Sequence, residues 1–495
     1  MKHHHLTAAM LLTALLTASL VSCGGDSAQT PIGTDAATAA DTIPSTEELD
    51  TLEARKLVPD DLETVDYGGR TFRIMGDDAC VDYYLMEEQT GDVMDDAIYS
   101  RNAAVTERFN IVLEADVFSE DQLIPQLRNT VMAGDDAYQL FSGHIVYAGN
   151  AVCDSLYYNW YDLPHINFEK PWYSSSTVED LTYDGKCFLA MGDFALTTVA
   201  STYCVYFNKQ IASDYDIEDL YALVENGTWT IEKMTELTKS VYRDLNGNGE
   251  ADQQDLYGFT MPAWSNANAF LWAFGEKLGK KQSDGTILLD YYNDHVVEIY
   301  EQMYELCWNT QGSFVTTTID EWAIPGTMFV TNQTLFHPSV FDSAATSLRD
   351  FETDYGIIPY PKWDEAQETY YTMVDGGHEG MAIPVSISDP DFVGRITEAL
   401  NAESYKQTIP TYYDIVLKNK GTRDETSIAI LDLILAGRIF DFGYVFGNTD
   451  GAAFWMQMLM QQKSADIASM YEKNHKMFDK KMAKVFAFFE EYEAE

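Results

Sequence analysis

Strand-like and helix-like segments alternate in the first third of the chain, and this alternation is the feature that most constrains the fold. Thr71 to Met75 alternates polar and apolar residues as a half-buried strand does, and Asp92 to Phe109 carries apolar residues at helical spacing. Ile111 to Ala115 is predicted as a second strand, a helix is predicted after the capping residue Ser119, and Tyr138 to Phe141 is predicted as a third strand. Strands separated by helices favour an α/β layer with a parallel sheet.

The same kinds of segment recur later in the chain. Cys204 to Phe207 is predicted as a strand, and Thr230 as the N-cap of a helix. Asp389 is followed by proline, which places a cap and a first-turn proline at the start of another helix. Two further helices are predicted, over Glu425 to Gly437 and over Ala465 to Glu491. The body is therefore predicted to be α/β throughout.

The amino terminus carries a lipoprotein-like leader. An apolar run from Leu6 to Leu20 follows Lys2, and it is shorter than the ~20 residues that a transmembrane helix needs. The tetrapeptide that ends in Cys23 resembles the lipobox of bacterial lipoproteins, which implies cleavage before Cys23 and a diacylglyceryl group on its thiol. Residues 1–22 are then the signal peptide and 23–65 a flexible tether. An ordinary signal peptide with an incidental cysteine is the alternative.

Charge excludes some classes of partner. The chain has 495 residues, with 31 Lys and Arg against 79 Asp and Glu, for a net charge of −48. Nucleic-acid binding needs clustered cations, so it is not expected. The same net charge argues against electrostatic docking on anionic lipid, so membrane contact is expected through the lipid anchor only. After Cys23 five cysteines remain, an odd number without metal-ligand spacing, which favours free thiols over a disulfide framework.

One loop has the spacing of a calcium site. In an EF-hand-type loop, side-chain oxygens occupy positions 1, 3, 5 and 9, glycine position 6, a backbone carbonyl position 7 and a carboxylate position 12. The matching residues are Asp244, Asn246, Asn248, Glu250, Asp252 and Asp255, with Gly249 at position 6. Position 12 is Asp instead of Glu, which makes a bidentate contact harder. The sequence predicts a structural Ca²⁺, and the alternative is a polar turn that binds nothing.

Several stretches together resemble a known family. They are Tyr67–Ile74, Gly91–Phe109, Trp229–Phe259, Tyr355–Asp364 and Glu403–Leu433. They are similar to the extracellular solute-binding proteins of family 1, the carbohydrate-type lipoproteins that serve ABC importers in Gram-positive bacteria. The segment Tyr355–Lys362 is the best single marker, and it looks like the strand and turn that run back through the N-lobe in that family.

The resemblance implies a type II periplasmic-binding-protein-like fold. Two lobes, each a mainly parallel sheet flanked by helices, would be joined by hinge strands and would close on the ligand. The N-lobe would hold residues 66–192 and 331–386, and the C-lobe residues 193–330 and 387–495. The protein is then expected to be a monomer that is lipid-anchored at the extracellular face of the cell membrane and works with ABC permease subunits.

Candidate ligand contacts follow from position, since ligands of such proteins bind at strand ends that face the cleft. They are Asp77, His144, Tyr147, Asp193, Trp264, Asn266, His337, His378 and Glu379. Trp264 follows the strand predicted over Leu256 to Thr260, where such proteins place an aromatic ring that stacks on a sugar. Each candidate also has a structural interpretation, because a lone histidine is more often a core or surface residue than a ligand contact.

No enzyme signature occurs in the chain, since G-x-S-x-G, H-E-x-x-H, a P-loop and G-x-G-x-x-G are all missing. No catalytic residue is therefore predicted. The expected function is capture of a solute, an oligosaccharide in the first instance, and its delivery to an ABC import permease. A secreted glycoside hydrolase or lyase, and a binder of peptide or another non-sugar solute, are the alternatives.

Overall fold

The computed structural model describes residues 51–418, 425–447 and 451–492. The predicted leader, the lipidation residue Cys23 and most of the predicted tether lie outside the described residues. Within the described part of the chain, none of the helices combines the length and the apolar character needed to cross a bilayer.

Thirteen strands occur within the described ranges. Their bounds are β1 Arg70–Asp77, β2 Ile111–Phe118, β3 Leu140–His144, β4 Tyr203–Asn208, β5 Tyr257–Pro262, β6 Gly279–Lys281, β7 Ile287–Leu289, β8 Ser313–Thr316, β9 Thr334–Val340, β10 Tyr355–Ile358, β11 Thr372–Met373, β12 Glu379–Ala382 and β13 Arg438–Ile439.

The α-helices of the described residues are α1 Thr51–Lys56, α2 Val81–Tyr84, α3 Val93–Phe109, α4 Glu120–Ala133, α5 Ile145–Asn150, α6 Ser175–Leu181, α7 Thr197–Ala200, α8 Lys209–Asp214, α9 Leu220–Glu225, α10 Ile231–Val241, α11 Ser265–Ala273, α12 Asp294–Tyr304, α13 Ile324–Val330, α14 Asp342–Ala345, α15 Pro390–Lys406, α16 Thr408–Lys418, α17 Glu425–Ala436, α18 Phe442–Val445, α19 Trp455–Gln461 and α20 Ile467–Glu491.

Two sheets organise these elements into two lobes. The first sheet has the order β12-β3-β1-β2, in which β1 runs parallel to both of its neighbours and β12 runs antiparallel to β3. The second sheet has the order β10-β4-β9-β5-β8. Here β5 is parallel to β8 and β9, while β4 is antiparallel to β9 and β10. The predicted α/β class is confirmed, and the second sheet is mixed where a mainly parallel one was predicted.

Sheet membership differs from the predicted lobe boundaries in two segments. Residues 331–386 were assigned to the N-lobe, but β9 and β10 pair with β4 and β5 in the second sheet, and only β12 joins the first. Helix α15 was assigned to the C-lobe, but it packs on α3, and Phe392 of α15 meets Phe72 of β1 with ring centroids 5.9 Å apart. The physical reason is that pairing between distant strands is set by burial of both sheet faces, which local sequence does not encode.

Two of the three predicted helix caps, those at Thr230 and Asp389, form in the structure, and Asp92 caps a further helix. The Asp92 carboxylate accepts from the Met94 amide at 2.9 Å, and the Asp389 carboxylate accepts from the Phe392 amide at 3.2 Å. The Thr230 hydroxyl accepts from the Lys233 amide at 3.3 Å. Ser119 holds the cap position of α4, but its hydroxyl donates to Asp121 instead of capping the helix. These caps fix where α3, α10 and α15 begin.

Residues 51–65 were predicted as tether, but they lie against the body. Asp60 is buried and accepts from Arg108 of α3, while Lys170 donates to the Pro59 carbonyl at 2.7 Å. The Arg55 guanidinium lies 4.7 Å from the centroid of the Tyr405 ring. The prediction missed this docking because a polar sequence can be held by ion pairs and ring contacts that no hydrophobic pattern announces.

All five cysteines of the body are free thiols, as the sequence favoured. Cys187, Cys204 and Cys307 are buried, and Cys80 and Cys153 are half-buried. The lobes are therefore held by packing and hydrogen bonds within the described residues, without a disulfide.

Candidate functional site

The carboxyl ends of β1, β2 and β3 form one edge of the first sheet. Because the three strands are parallel, Asp77, Glu120 and His144 come to the same edge. Glu379 begins the antiparallel strand β12 and pairs with His144 in the register. Three of the predicted ligand contacts, Asp77, His144 and Glu379, therefore lie at this one edge, and their ligand roles stay predictions.

The second sheet presents the equivalent edge at the ends of β5, β8 and β9. Pro262 and Thr316 are in register, and Trp264 follows two residues after the first of them. Asp342 follows the end of β9. Burial raises the pKa of the Cys80 thiol, and the charges of Glu379, Asp77 and Asp342 raise it further. Cys80 is thus near acidic groups from both edges, and we call the space between the edges the cleft.

His144, Tyr147 and Glu120 form a compact group at the first edge. The His144 and Tyr147 rings stack with centroids 4.3 Å apart, and His144 Nε2 lies 3.3 Å from Glu120 Oε1. His144 Nδ1 accepts from the Val146 amide. Burial lowers the pKa of His144 to about 4, which favours the neutral ring. Tyr147 is 39% exposed and offers an aromatic face to solvent.

A groove of about 370 Å³ runs from this group between α4 and α5. Its floor and walls are formed by Glu120, Asp121, Ile124, Arg128, Tyr147, Asn150, Ala151 and Asp154. Arg128 pairs with Asp154 inside the groove. The Asn150 side-chain oxygen is buried and accepts no hydrogen bond within the described residues. The groove therefore offers carboxylates, an amide and one aromatic face, which are the groups that bind hydroxyl-rich ligands.

Glu379 is buried inside the first edge and is 1% exposed. Its carboxylate accepts from the Ser142 hydroxyl at 3.1 Å and from the Thr197 hydroxyl at 3.2 Å, while its own amide donates to the Thr197 oxygen at 2.9 Å. Burial, together with the charge of Asp77, raises the pKa of Glu379 well above its ordinary value. In this conformation Glu379 joins β12 to β3 and α7, and it presents no surface to a ligand.

His378 is also buried, next to the segments that cross between the sheets. Its Nδ1 lies 2.5 Å from the Asp375 carbonyl oxygen, and its Nε2 has no hydrogen-bond partner in the described part of the chain. Burial lowers the pKa of His378 to about 4, so Nδ1 donates to the carbonyl and Nε2 keeps a free lone pair. The Asp375 carboxylate accepts from the Tyr203 hydroxyl at 2.7 Å and thereby ties this segment to β4.

Asp193 lies half-buried where the chain leaves the first sheet. Burial raises the pKa of Asp193 to about 7, and the nearby Arg55 and Arg438 offset part of that rise. Its amide donates to the Trp172 carbonyl at 2.9 Å. Asp193 was predicted to lie where the chain crosses between the lobes, and it does lie between β3 of the first sheet and β4 of the second. A ligand role for Asp193 stays a prediction.

His337 and Asn266 belong to the packing of the second sheet. His337 is buried, its Nδ1 lies 3.4 Å from the Thr260 carbonyl, and its ring packs on Phe329. Burial lowers the pKa of His337 to about 4. The Asn266 amide donates to the Pro338 carbonyl at 2.9 Å. Both side chains are engaged internally here, so the structure offers no geometric support for their predicted ligand roles.

Two tryptophans follow the parallel strands of the second edge, and the sequence analysis named one of them as a ligand candidate. Trp264 is half-buried at the start of α11. Trp322 is 53% exposed and follows β8 by six residues, so both tryptophans come after neighbouring parallel strands that end in register. The missed signal was the run of β-branched residues Val315–Thr318, which overlaps the end of β8 and makes the residues after it candidates by the same rule.

The loop predicted to bind calcium is held by its own hydrogen bonds. The Asp244 carboxylate accepts from the Gly247 and Gly249 amides at 2.6 and 2.9 Å. The Asn246 and Asn248 side-chain amides both donate to Asp252. Asp255 is buried, and its carboxylate accepts a hydrogen bond from the Leu245 amide. Glu250 occupies position 7 of the loop, where a calcium site uses the backbone carbonyl.

The fit of these residues to a metal is partial. In the described residues no three His, Cys, Asp or Glu side chains converge as a metal site. The loop nevertheless turns at two glycines with positive φ, Gly247 and Gly249, as the tight turn of a calcium loop requires. A bound Ca²⁺ would need the Asn246 and Asn248 oxygens turned inward, so calcium binding stays a prediction.

Comparison with known proteins supports the architecture. No family model matches the chain, and no curated protein matches it in sequence. Solved structures do match. A cyclo/maltodextrin-binding protein complexed with maltotetraose has a TM-score of 0.54 at 13% identity, over 86% of this chain and 97% of that chain. The fold is that of a two-lobed solute-binding protein.

Two further solved structures share this fold. The GacH receptor of Streptomyces glaucescens, studied unliganded and with acarbose, has a TM-score of 0.53 at 9% identity, over 86% of this chain and all 100% of that chain. The galacto-N-biose/lacto-N-biose I-binding protein of an ABC transporter from Bifidobacterium longum has a TM-score of 0.52 at 11% identity, over 86% of this chain and 99% of that chain. At such identities the likeness concerns the fold.

Proposed function

We propose that this protein captures an oligosaccharide between its two lobes and delivers it to an ABC import permease. The observation that carries the proposal is that each of the two sheets ends in an edge of parallel strand ends, in the fold of two-lobed solute-binding proteins. Neighbours with this fold are described as bound to maltotetraose or to lacto-N-biose. Ligands of open α/β sheets bind outside the carboxyl ends of the strands, where this cleft lies.

The side chains at the two edges suit a sugar. Tyr147, Trp264 and Trp322 are aromatic residues that are at least partly exposed near the strand ends, and such rings pack on the apolar face of a pyranose. Glu120 and Asp342 supply carboxylates for hydroxyl groups, one from each edge. A mostly apolar contact with a few oriented polar groups is the usual composition of a small-molecule site.

Capture would work by closure. A ligand that contacts both edges stabilises the closed arrangement of the lobes over the open one by the difference in its affinity for the two states. A permease that recognises the closed arrangement would then receive only the loaded protein. In this proposal the chain binds and releases its ligand unchanged, in contrast to the alternative of a glycoside hydrolase or lyase.

We further propose that the mature chain is anchored by acyl groups on Cys23 at the extracellular face of the membrane. The leader and the lipobox-like sequence support this proposal. Two acyl chains give stable anchoring, whereas one chain alone binds only marginally. The calcium loop is proposed as a structural clip that is separate from the cleft.

A thermal-shift screen tests the proposed function. Purified protein is heated with neutral oligosaccharides of two to six units from α-glucan, β-glucan, xylan, mannan and galactan series, and with a peptide mixture. A ligand at ~100 times its dissociation constant adds ~2.7 kcal/mol of stability and raises Tm. We expect a shift with at least one glycan series and unchanged glycan on chromatography afterwards. Shortened glycan would favour a hydrolase or lyase, and a shift with peptides alone would favour the other alternative.

A further inference from the structure

The carboxyl-terminal helix α20 has one strongly basic face. Its buried residues are Ile467, Phe478, Met482, Val485 and Phe489, which pack on the body. Four lysines at spacings of three, four and four residues lie on the opposite face of the helix, and all four are exposed: Lys473, Lys476, Lys480 and Lys484. We call these four residues the lysine face.

No carboxylate among the described residues pairs with the lysine face. None of its four ammonium groups forms an ion pair with the residues that the structure describes. The acidic residues of this stretch, Glu472 and Asp479, lie to one side of the face, and Asp479 accepts a hydrogen bond from Tyr291 at 2.5 Å. Lys481, next to the face, donates to the Asn150 carbonyl at 3.1 Å.

The concentration of charge is unusual for this chain. Five lysines fall between residues 473 and 484, out of 31 Lys and Arg in a chain with a net charge of −48. Solubility does not require them, because the chain is already strongly charged. The helix dipole does not require them either, since the lysine face lies before the last turn, which carries Glu490 and Glu491 instead.

We propose that the lysine face docks the body on an anionic phospholipid surface. Such a surface attracts clustered lysines within about one Debye length, ~8 Å at physiological ionic strength, and repels the acidic remainder of the molecule. The orientation with α20 against the headgroups is therefore the one that we propose. From net charge alone, membrane contact was expected only through the acyl anchor. In this proposal the lysine face adds a second, electrostatic contact.

Vesicle co-sedimentation tests the proposal. The probes are phosphatidylcholine vesicles with and without about 30% phosphatidylglycerol, and the protein is the mature chain from residue 24, which carries neither leader nor acyl group. We expect binding only to the vesicles that contain phosphatidylglycerol, and a loss of at least tenfold in binding between about 50 and about 500 mM NaCl.

A charge-matched pair of variants identifies the surface. Lys476→Gln/Lys480→Gln removes two charges from the lysine face, and Lys233→Gln/Lys239→Gln removes two from α10. We expect the first variant to bind phosphatidylglycerol vesicles roughly tenfold more weakly or worse, and the second to bind within twofold of the wild type. Equal binding by both variants, no binding by the wild type, or equal binding to vesicles without phosphatidylglycerol would each overturn the proposal. Sugar binding is independent of these lysines, so the proposed function stands or fails separately.

Discussion

At the scale of single residues, the site contains two kinds of side chain. Some are buried and hold the strands in place, and others are exposed and can contact a ligand. Glu379 and His378 are almost fully buried and hold β12 to its neighbours through Ser142, Thr197 and the Asp375 carbonyl. Tyr147 and Trp322 are exposed at the two edges. Candidates chosen only by their place after a strand include both kinds, because chain position does not reveal burial.

Trp322 is expected to contribute to ligand affinity. Trp322→Ala should weaken binding of the glycan found by the screen by about 1–2 kcal/mol, because an exposed ring at a strand end gains contact area on binding. Titration calorimetry measures the change. Tyr161→Ala, which removes another half-exposed aromatic residue, is the control. An unchanged affinity in the Trp322 variant would remove this residue from the site.

Glu398 should make stability depend on pH. It is fully buried between the Trp172 and Tyr173 side chains, and burial raises its pKa from 4.5 to about 7. The folded state thus holds this proton more tightly than the unfolded state, so stability falls as pH rises from about 5 to about 7. The loss from this group should reach about 2–3 kcal/mol by pH 8.

Urea unfolding at pH 5 and pH 8 measures that dependence. Glu398→Gln should lose much less stability between the two pH values than the wild type does, whatever its stability at either one. Glu403→Gln, on the same helix and beside Lys406, should keep the wild-type dependence. Parallel behaviour of the two variants would mean that the proton resides elsewhere.

At the scale of secondary-structure elements, local signals predicted the helices and strands but not their partners. The caps at Thr230 and Asp389 were predicted because a side-chain oxygen before an apolar run satisfies free amides. β8 was missed because it has only four residues. The placement of β9 and β10 in the second sheet could not be predicted, since pairing across more than a hundred residues depends on burial of the assembled sheet.

The loop from Asp244 to Asp255 is expected to respond to calcium. Because Ca²⁺ would bind the folded loop alone, millimolar calcium should raise Tm relative to chelator. Asp244→Ala should abolish the rise, since this carboxylate holds the turn through the Gly247 and Gly249 amides. Asp284→Ala, in the turn between β6 and β7, should keep it. A wild type that is indifferent to calcium would leave the loop as a polar turn.

At the scale of the whole molecule, the described chain forms two lobes, each built on its own sheet. Two-lobed architecture was predictable because a resemblance spread over most of the chain supplied the connectivity that local patterns lack. The boundaries between the lobes were harder to predict, because the chain crosses between the sheets several times and the strands near the crossings are short.

Cys23 is expected to carry the anchor. Cys23→Ala should release the protein into the medium or leave it unprocessed, because no acyl group can then be attached. Detergent phase partitioning of cells that express each form measures the outcome. Cys80→Ala, which alters a thiol of the folded body, is the matched control. Unchanged partitioning of the Cys23 variant would mean that another element holds the protein at the membrane.

The seating of residues 51–66 has a mechanical consequence. Asp60 and the Pro59 carbonyl are held by Arg108 and Lys170, and Arg395 donates to the Glu63 carbonyl, so these contacts fall on the lobe of the first sheet. Any drag or tension that enters the chain at Thr51 is therefore borne by this lobe. If the chain is anchored and closes on its ligand as proposed, the lobe of the second sheet would carry none of this load and would be the lobe that moves.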